Sequence, residues 1–464
     1  MCAAAASEVA LESSVREFIG SPRKMLIGGQ WVAADSGETF EIYNPATDEV
    51  IGHAQAGGKS DVDKAVKAAR KAFESGPWSK MNVAERQRIV WRIGELIRKH
   101  AEELAQLESL DNGKPISIAR AADVPLSAEM FEYMAGWATK LNGELITPAM
   151  SLAPGAEWHA YTRREPIGVC GQIIPWNFPL LMAAWKLAPA LTTGNTIVLK
   201  IAEETPLSGL KLGEIMQEAG VPDGVVNIIT GFGEAAGAPL SNHPDVDKIA
   251  FTGSTEVGRL IAQAAGTSNL KKVSLELGGK SPNIILDDAN LDKAIAGAAF
   301  AIFFNHGQCC CAGSRLFVQE GVYDKVVEGV AEAARNIKVG PGLDPATEMG
   351  PLVSRTQLER VTGYLESGKS QGARAAAGGD RSGSSGYFVE PTVLVDVKDD
   401  MKVYQEEIFG PVVTASRFKE VDDELIRRAN DSVYGLAAGV WTQDISKAHK
   451  LAAKLRAGTV WVNA

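Results

Sequence analysis

Between Asp61 and Leu110, apolar residues recur every three or four positions with charged residues between them. That is the spacing of helices that bury one face. Gly76-Pro77 and Asn112-Gly113-Lys114-Pro115 punctuate the stretch, because both residue types interrupt regular backbone. From Gly168 the pattern changes to short β-rich runs alternating with helical ones. Strands are predicted at Thr196–Leu199, Val225–Thr230 and Lys248–Phe251, and helices at Leu207–Ala219, Ala235–Leu240 and Thr255–Ala265. This alternation predicts an α/β domain whose parallel sheet is covered by helices on both faces.

A second α/β stretch is expected from about Ser274 onward. Its helices lie near Asp292–Phe303, Tyr323–Ile337 and Ser354–Gln371, and TVLVDV and GTVWVN are strand-like. The Pro- and Gly-containing segment from Trp137 to Thr162 predicts an extended hairpin or arm. Ala373–Gly386, rich in Gly and Ser, predicts a surface loop. No internal repeat of fixed period is visible.

At 464 residues the chain has room for two or three domains. Its net charge of −10, with no basic run, is unsuited to general nucleic-acid binding, which rests on cationic contacts to phosphate. Ala294–Phe304 is too short an apolar run for a bilayer crossing of about 20 residues. Around Ile173–Ala190 the apolar pattern is broken by Pro175, Asn177, Pro179, Lys186 and Pro189. The opening MCAAAASEVALESS has no basic region before its alanines, so no secretion signal is expected. Cys2, Cys170 and the run Cys309-Cys310-Cys311 make a poor disulfide framework and suit a reducing, cytoplasmic setting. His306 with Cys309 could form half a zinc site, but no second half is in view, and no metal is expected.

Three segments are candidates for a nucleotide site. Gly231–Gly237 approximates G-x-G-x-x-G/A directly after a predicted strand. Phe251–Gly258 again runs from strand through a glycine turn into a helix. Glu276–Ser281 resembles the tail of a P-loop but has Ser274 where that motif needs glycine. Lys200 and Glu203, just past a strand, could hold ribose hydroxyls or merely cap the next helix. The cysteine run could supply a thiolate nucleophile or pack as small hydrophobes. In Pro175-Trp176-Asn177-Phe178-Pro179, two prolines restrict the backbone. A pinned asparagine amide there could donate to an oxyanion, or the segment could be a packed loop.

Taken in order, IIPWNFPL, FTGSTEVG, LELGGKSPNII, GQCCCAGSR and EEIFGPV resemble the signature segments of the NAD(P)-dependent aldehyde dehydrogenase superfamily. The resemblance runs from about Ile27 to Val462 and is closest to enzymes of broad aliphatic and aromatic, phenylacetaldehyde-like range. It implies a Rossmann-like cofactor domain (1–143 and 165–275), an α/β catalytic domain (276–464) and a small β oligomerisation arm (144–164). Carried over residue by residue, it makes Cys310 the nucleophile, Glu276 (34 residues upstream) the general base and Asn177 the oxyanion donor. Lys200 and Glu203 would hold the adenosine ribose of NAD, and Gly253 and Ser254 the phosphates. Gly233 would lie near adenine, with Ile174, Trp176 and Gly258 along the same cleft. Glu407 and Phe409 would hold the nicotinamide ribose and ring, with Gln357 a further ribose contact. Phe178, Met182, Trp185, Phe304, Cys309 and Cys311 would line the aldehyde tunnel.

The resemblance therefore implies NAD-dependent oxidation of an aldehyde to its acid, through a cysteine thiohemiacetal and a thioester, by a homodimer or homotetramer. Three departures stand out, the last the most serious. Ile201 occupies a position where many relatives have proline, and the Trp137–Thr162 arm is long. The family pattern also continues beyond GTVWVN with a PFGG-containing loop and a last strand, which this sequence does not reach. The alternative expectation is accordingly a truncated, weakly active or noncatalytic relative that binds dinucleotide.

Overall fold

The computed structural model describes residues 9–149, 152 and 154–464; the opening MCAAAASE, with Cys2, and three positions of the arm lie outside them. Two seven-stranded sheets organise the chain. In the first, Lys272–Glu276, Lys248–Thr252, Val169–Ile173, Thr196–Lys200 and Val226–Ile229 lie side by side and parallel. The last three of these are buried along their whole length, so they read as continuous apolar runs rather than alternating ones. Met25–Ile27 and Gln30–Val32 extend the far edge antiparallel.

The register brings the carboxyl ends of four strands level. Ile173 pairs with Lys200 on one side and Phe251 on the other, and Thr252 pairs with Glu276. The chain moves outward from Val169–Ile173 through its neighbours, then returns to lay Lys248–Thr252 on the opposite flank. At such a switch point the loops leaving two adjacent strands diverge and open a crevice.

The second sheet runs Arg374–Ala377, Thr392–Val395, Val412–Phe418, Arg315–Gln319, Pro282–Ile285, Ala437–Trp441 and Thr459–Val462. All its pairings are parallel except the first. That first strand corrects the loop expected over Ala373–Gly386. Its Arg-Ala-Ala-Ala sequence has little strand propensity, and pairing with Thr392–Val395 holds it extended at the sheet edge.

The helical stretch expected over Asp61–Leu110 resolves into Lys59–Ser75, Val83–Lys99 and Ala101–Asn112, with a short turn at Pro77–Lys80. Asn82 starts the second helix by accepting from the Ala84 amide at 2.9 Å. The arm is a two-stranded ribbon, with Leu145–Ile146 antiparallel to Ala160–Tyr161. Periodicity did not anticipate the Thr39–Asn44/Glu49–Gln55 hairpin or the helices Val124–Ala135 and Pro179–Thr192. Among the described residues no helix is long and apolar enough to cross a membrane, and no group of His, Cys, Asp and Glu could hold a metal.

Candidate active site

At the switch point, Pro175, Trp176 and Asn177 leave one strand and Thr252, Gly253 and Ser254 leave its neighbour. They face Leu277, Gly278, Cys310, Gln357, Arg360, Glu407 and Phe409 across a cavity of about 210 Å3. Both sheets thus contribute, the first through its carboxyl ends and the second through the loops before Arg315 and Val412.

A left-handed turn presents Cys310. The Leu291–Phe303 helix stops, and Asn305, His306 and Gly307 then adopt φ of 51°, 60° and 68°. Two of these residues carry side chains, a conformation that persists only where surroundings enforce it and that clusters at functional sites. Gly307 has no substitute, because a Cβ there would sit 2.0 Å from the Gly410 carbonyl oxygen. The turn is tied across the cavity. Asn305 Nδ2 donates to the Asn177 carbonyl at 3.0 Å, and Asn177 Nδ2 donates to the Gln308 carbonyl at 2.9 Å. Among the described residues the other N–H of the Asn177 amide has no acceptor.

The pKa of the Cys310 thiol is shifted upward. Contact with Cys309 favours its thiolate, but contact with Cys311, burial and the charges of Cys311 and Glu407 outweigh this and push it up to about 12. His306 is buried behind the turn, its Nδ1 3.2 Å from Gln308 Nε2. Burial, with help from Lys114, pushes it down to about 3, so it is neutral.

Glu407 reaches back to the first sheet, its Oε1 accepting from the Gly279 amide at 2.9 Å. Burial raises its pKa. Phe409, at φ 62°, meets Trp176 edge-on with ring centroids 5.2 Å apart. Gln357 Nε2 donates to the Phe409 carbonyl at 2.6 Å, and Arg360 to the Glu407 carbonyl at 2.6 Å. Arg360 escaped the sequence reading; its three-residue spacing from Gln357, which puts both on one helix face, was the signal for it.

A second cavity of about 450 Å3, lined by Ile173, Gly233, Gly237, Val257, Leu260 and Ile261 among others, lies beside the first. Lys200 and Glu203 pair at the end of their strand. Ser254 caps the Thr255–Thr267 helix, its Oγ accepting from the Val257 amide at 3.2 Å. An apolar slot, a ribose-sized acid–lysine pair and a helix amino terminus fit the three parts of a dinucleotide.

Several expected residues stand apart. Glu276 ends its strand level with Thr252, but its side chain is exposed and does not line the cavity. It lies near Lys186, whose pKa burial lowers to about 8 against the pull of Glu276. Ile174 packs into the apolar core. Gly258 serves packing, since a Cβ there would lie 2.5 Å from Leu277. Of the tunnel residues, Phe178 stacks on Phe304 with centroids 6.1 Å apart. Met182 is buried and Trp185 half exposed on the following helix, and the Cys309 and Cys311 sulfurs approach to 3.4 Å.

The family model described as "Aldehyde dehydrogenase family" matches residues 31–464. The mitochondrial aldehyde dehydrogenase of Rattus norvegicus is 53% identical over 441 residues, 95% of this chain and 84% of its own length. The mitochondrial benzaldehyde dehydrogenase of Antirrhinum majus is 51% identical over 459 residues, 99% of this chain and 85% of its own. The solved NAD+ complex of aldehyde dehydrogenase from Bacillus cereus matches with a TM-score of 0.95 at 53% identity, covering 98% of this chain and 91% of that one. Likeness of this extent, in sequence and in fold, makes the chain a member of the aldehyde dehydrogenase family.

Proposed function

We propose that the chain oxidises an aromatic, phenylacetaldehyde-like or medium aliphatic aldehyde to its carboxylic acid with NAD. The observation that carries this is the convergence of Cys310, Asn177, Glu407 and Phe409 on one cavity at the switch point. Cys310 attacks the aldehyde carbon, and the free Asn177 N–H together with the Cys310 backbone amide stabilises the oxyanion. NAD, held by Lys200, Glu203, Ser254, Glu407 and Phe409, supplies a hydride acceptor when bound. The acyl group is then a thioester on Cys310, and Glu276, whose exposed side chain must first turn toward the cavity, activates the water that hydrolyses it. The Glu203 carboxylate suits a 2′-hydroxyl and repels a 2′-phosphate, favouring NAD over NADP.

Phe178, next to Asn177 and stacked on Phe304, and buried Met182 give the surroundings of the cavity an apolar character, which supports an uncharged substrate. The benzaldehyde dehydrogenase among the relatives supports an aromatic one. The ribbon at 145–161 supports a homodimer or homotetramer, and free thiols at Cys170, Cys309, Cys310 and Cys311 suit a reducing compartment such as the cytoplasm.

NADH absorbance across an aldehyde panel tests this. Wild type should favour phenylacetaldehyde and hexanal over charged semialdehydes. Cys310→Ala should make no NADH yet still bind NAD, and Glu276→Gln should give one burst of NADH and then slow turnover. Turnover by Cys310→Ala at the wild-type rate sinks the proposal.

A further inference from the structure

Asn177 and Phe178 must be held still if one donates to an oxyanion and the other walls the substrate. We propose that the buried Asn112-Gly113-Lys114-Pro115 turn is a positioning device for this pair, with Lys114 clamping the Phe178 ring. This rests on the catalytic reading above and adds residues outside the cavity to it.

The turn grips the Trp176-Asn177-Phe178 segment on both sides of the asparagine. Asn112 Nδ2 donates to the Trp176 carbonyl at 2.8 Å. Lys114 Nζ sits 4.4 Å from the Phe178 ring centroid, within range for attraction between an ammonium and a ring face. Phe304 stacks on the same ring, so Phe178 has both a cation and an aromatic neighbour. Asn305 Nδ2 holds the carbonyl between, that of Asn177. The oxyanion donor is thus anchored at three successive residues.

Lys114 is wholly buried, where an unpaired ammonium would be prohibitively costly. Its charge is met by Asp123, with Glu108 Oε1 3.7 Å away. Asp123 closes the π-helical turn Ala119–Asp123, an irregularity that re-aims side chains and recurs near functional sites. Replacing a buried ion pair by apolar residues is often neutral for stability. Filling space is therefore a poor account of a lysine here, and holding a ring face is a better one.

Two variants of the full chain test the proposal. Lys114→Met/Asp123→Asn removes the pair together, and Asn112→Ala removes the other grip. For each, three quantities are measured: kcat/KM for phenylacetaldehyde, NAD affinity by fluorescence quenching, and the rate of Cys310 alkylation by iodoacetamide, a reaction with no oxyanion. A loss of oxyanion and wall positioning predicts a fall in kcat/KM of about tenfold to hundredfold, with NAD affinity and alkylation within about twofold of wild type. Phe178→Leu should cost less in the Lys114→Met/Asp123→Asn background than in wild type, because the clamp has already gone. Unchanged kcat/KM in both variants overturns the proposal, as do parallel losses of alkylation, NAD binding and turnover. Should the double variant fail to fold by circular dichroism, Asn112→Ala decides alone. Failure of the catalytic reading is separately visible as NADH production by Cys310→Ala.

Discussion

Cys310, the proposed nucleophile, is held toward the thiol because, against the pull of Cys309, contact with Cys311 and burial raise its pKa to about 12, while contacts with Cys309 and Cys310 lower that of Cys311 to about 3. Alkylation at Cys310 itself, followed by peptide mass mapping of the iodoacetamide-treated, cofactor-free enzyme, should therefore climb steeply from pH 7 to 9 without levelling, whereas Cys311 should react independently of pH. A plateau near neutral pH would mean that another group already holds the thiolate. At this scale the sequence was most informative where a motif carried a distinctive side chain, as at Cys310, Asn177, Glu407 and Phe409. It was silent on Asn305, Lys114 and Arg360, whose roles arise from contacts between segments remote in the chain. Glu276 falls between: its position was legible, but which way its side chain turns depends on packing that spacing cannot reveal.

Among elements, the buried strands and amphipathic helices were readable because burial on one or both faces imposes a period on the sequence. The Arg374–Ala377 edge strand was not, since pairing rather than its own residues holds it extended. The Leu277-Gly278-Gly279 loop shows why glycine is demanded where the two sheets touch. A Cβ on Gly279 would lie 2.1 Å from the Cys310 carbonyl oxygen, and its amide is committed to Glu407. Gly279→Ala should destabilise by about 1–3 kcal/mol, seen as a lower urea midpoint, and should reduce turnover more than NAD affinity. Gly266→Ala, on an open helical face, should be neutral or slightly stabilising. Equal midpoints for the two variants would count against the close approach.

For the whole molecule, the ribbon at 145–161 is the part with least support of its own. Leu145 is 76% exposed and Tyr161 68%, and an isolated two-stranded hairpin is marginal in water. Light scattering should accordingly give a mass that is a multiple of 49.3 kDa. Leu145→Lys with Tyr161→Lys should lower it toward the single-chain value. A wild-type monomer would show that the ribbon stands without a partner.

The hydrogen bond from the Gly253 amide to the Glu276 carbonyl, 3.0 Å long, has a consequence for redesign. It fastens the turn proposed to hold the cofactor phosphates to the end of the strand that carries Glu276, the proposed hydrolytic base, and Thr252 and Glu276 share one rung of the sheet. On the proposed reading, cofactor preference and hydrolysis are therefore coupled rather than separable. Mutations that reshape residues 252–254 to retune one will drag the other with them, so a library meant to exchange cofactors would do better to vary Glu203 on the far side of the crevice.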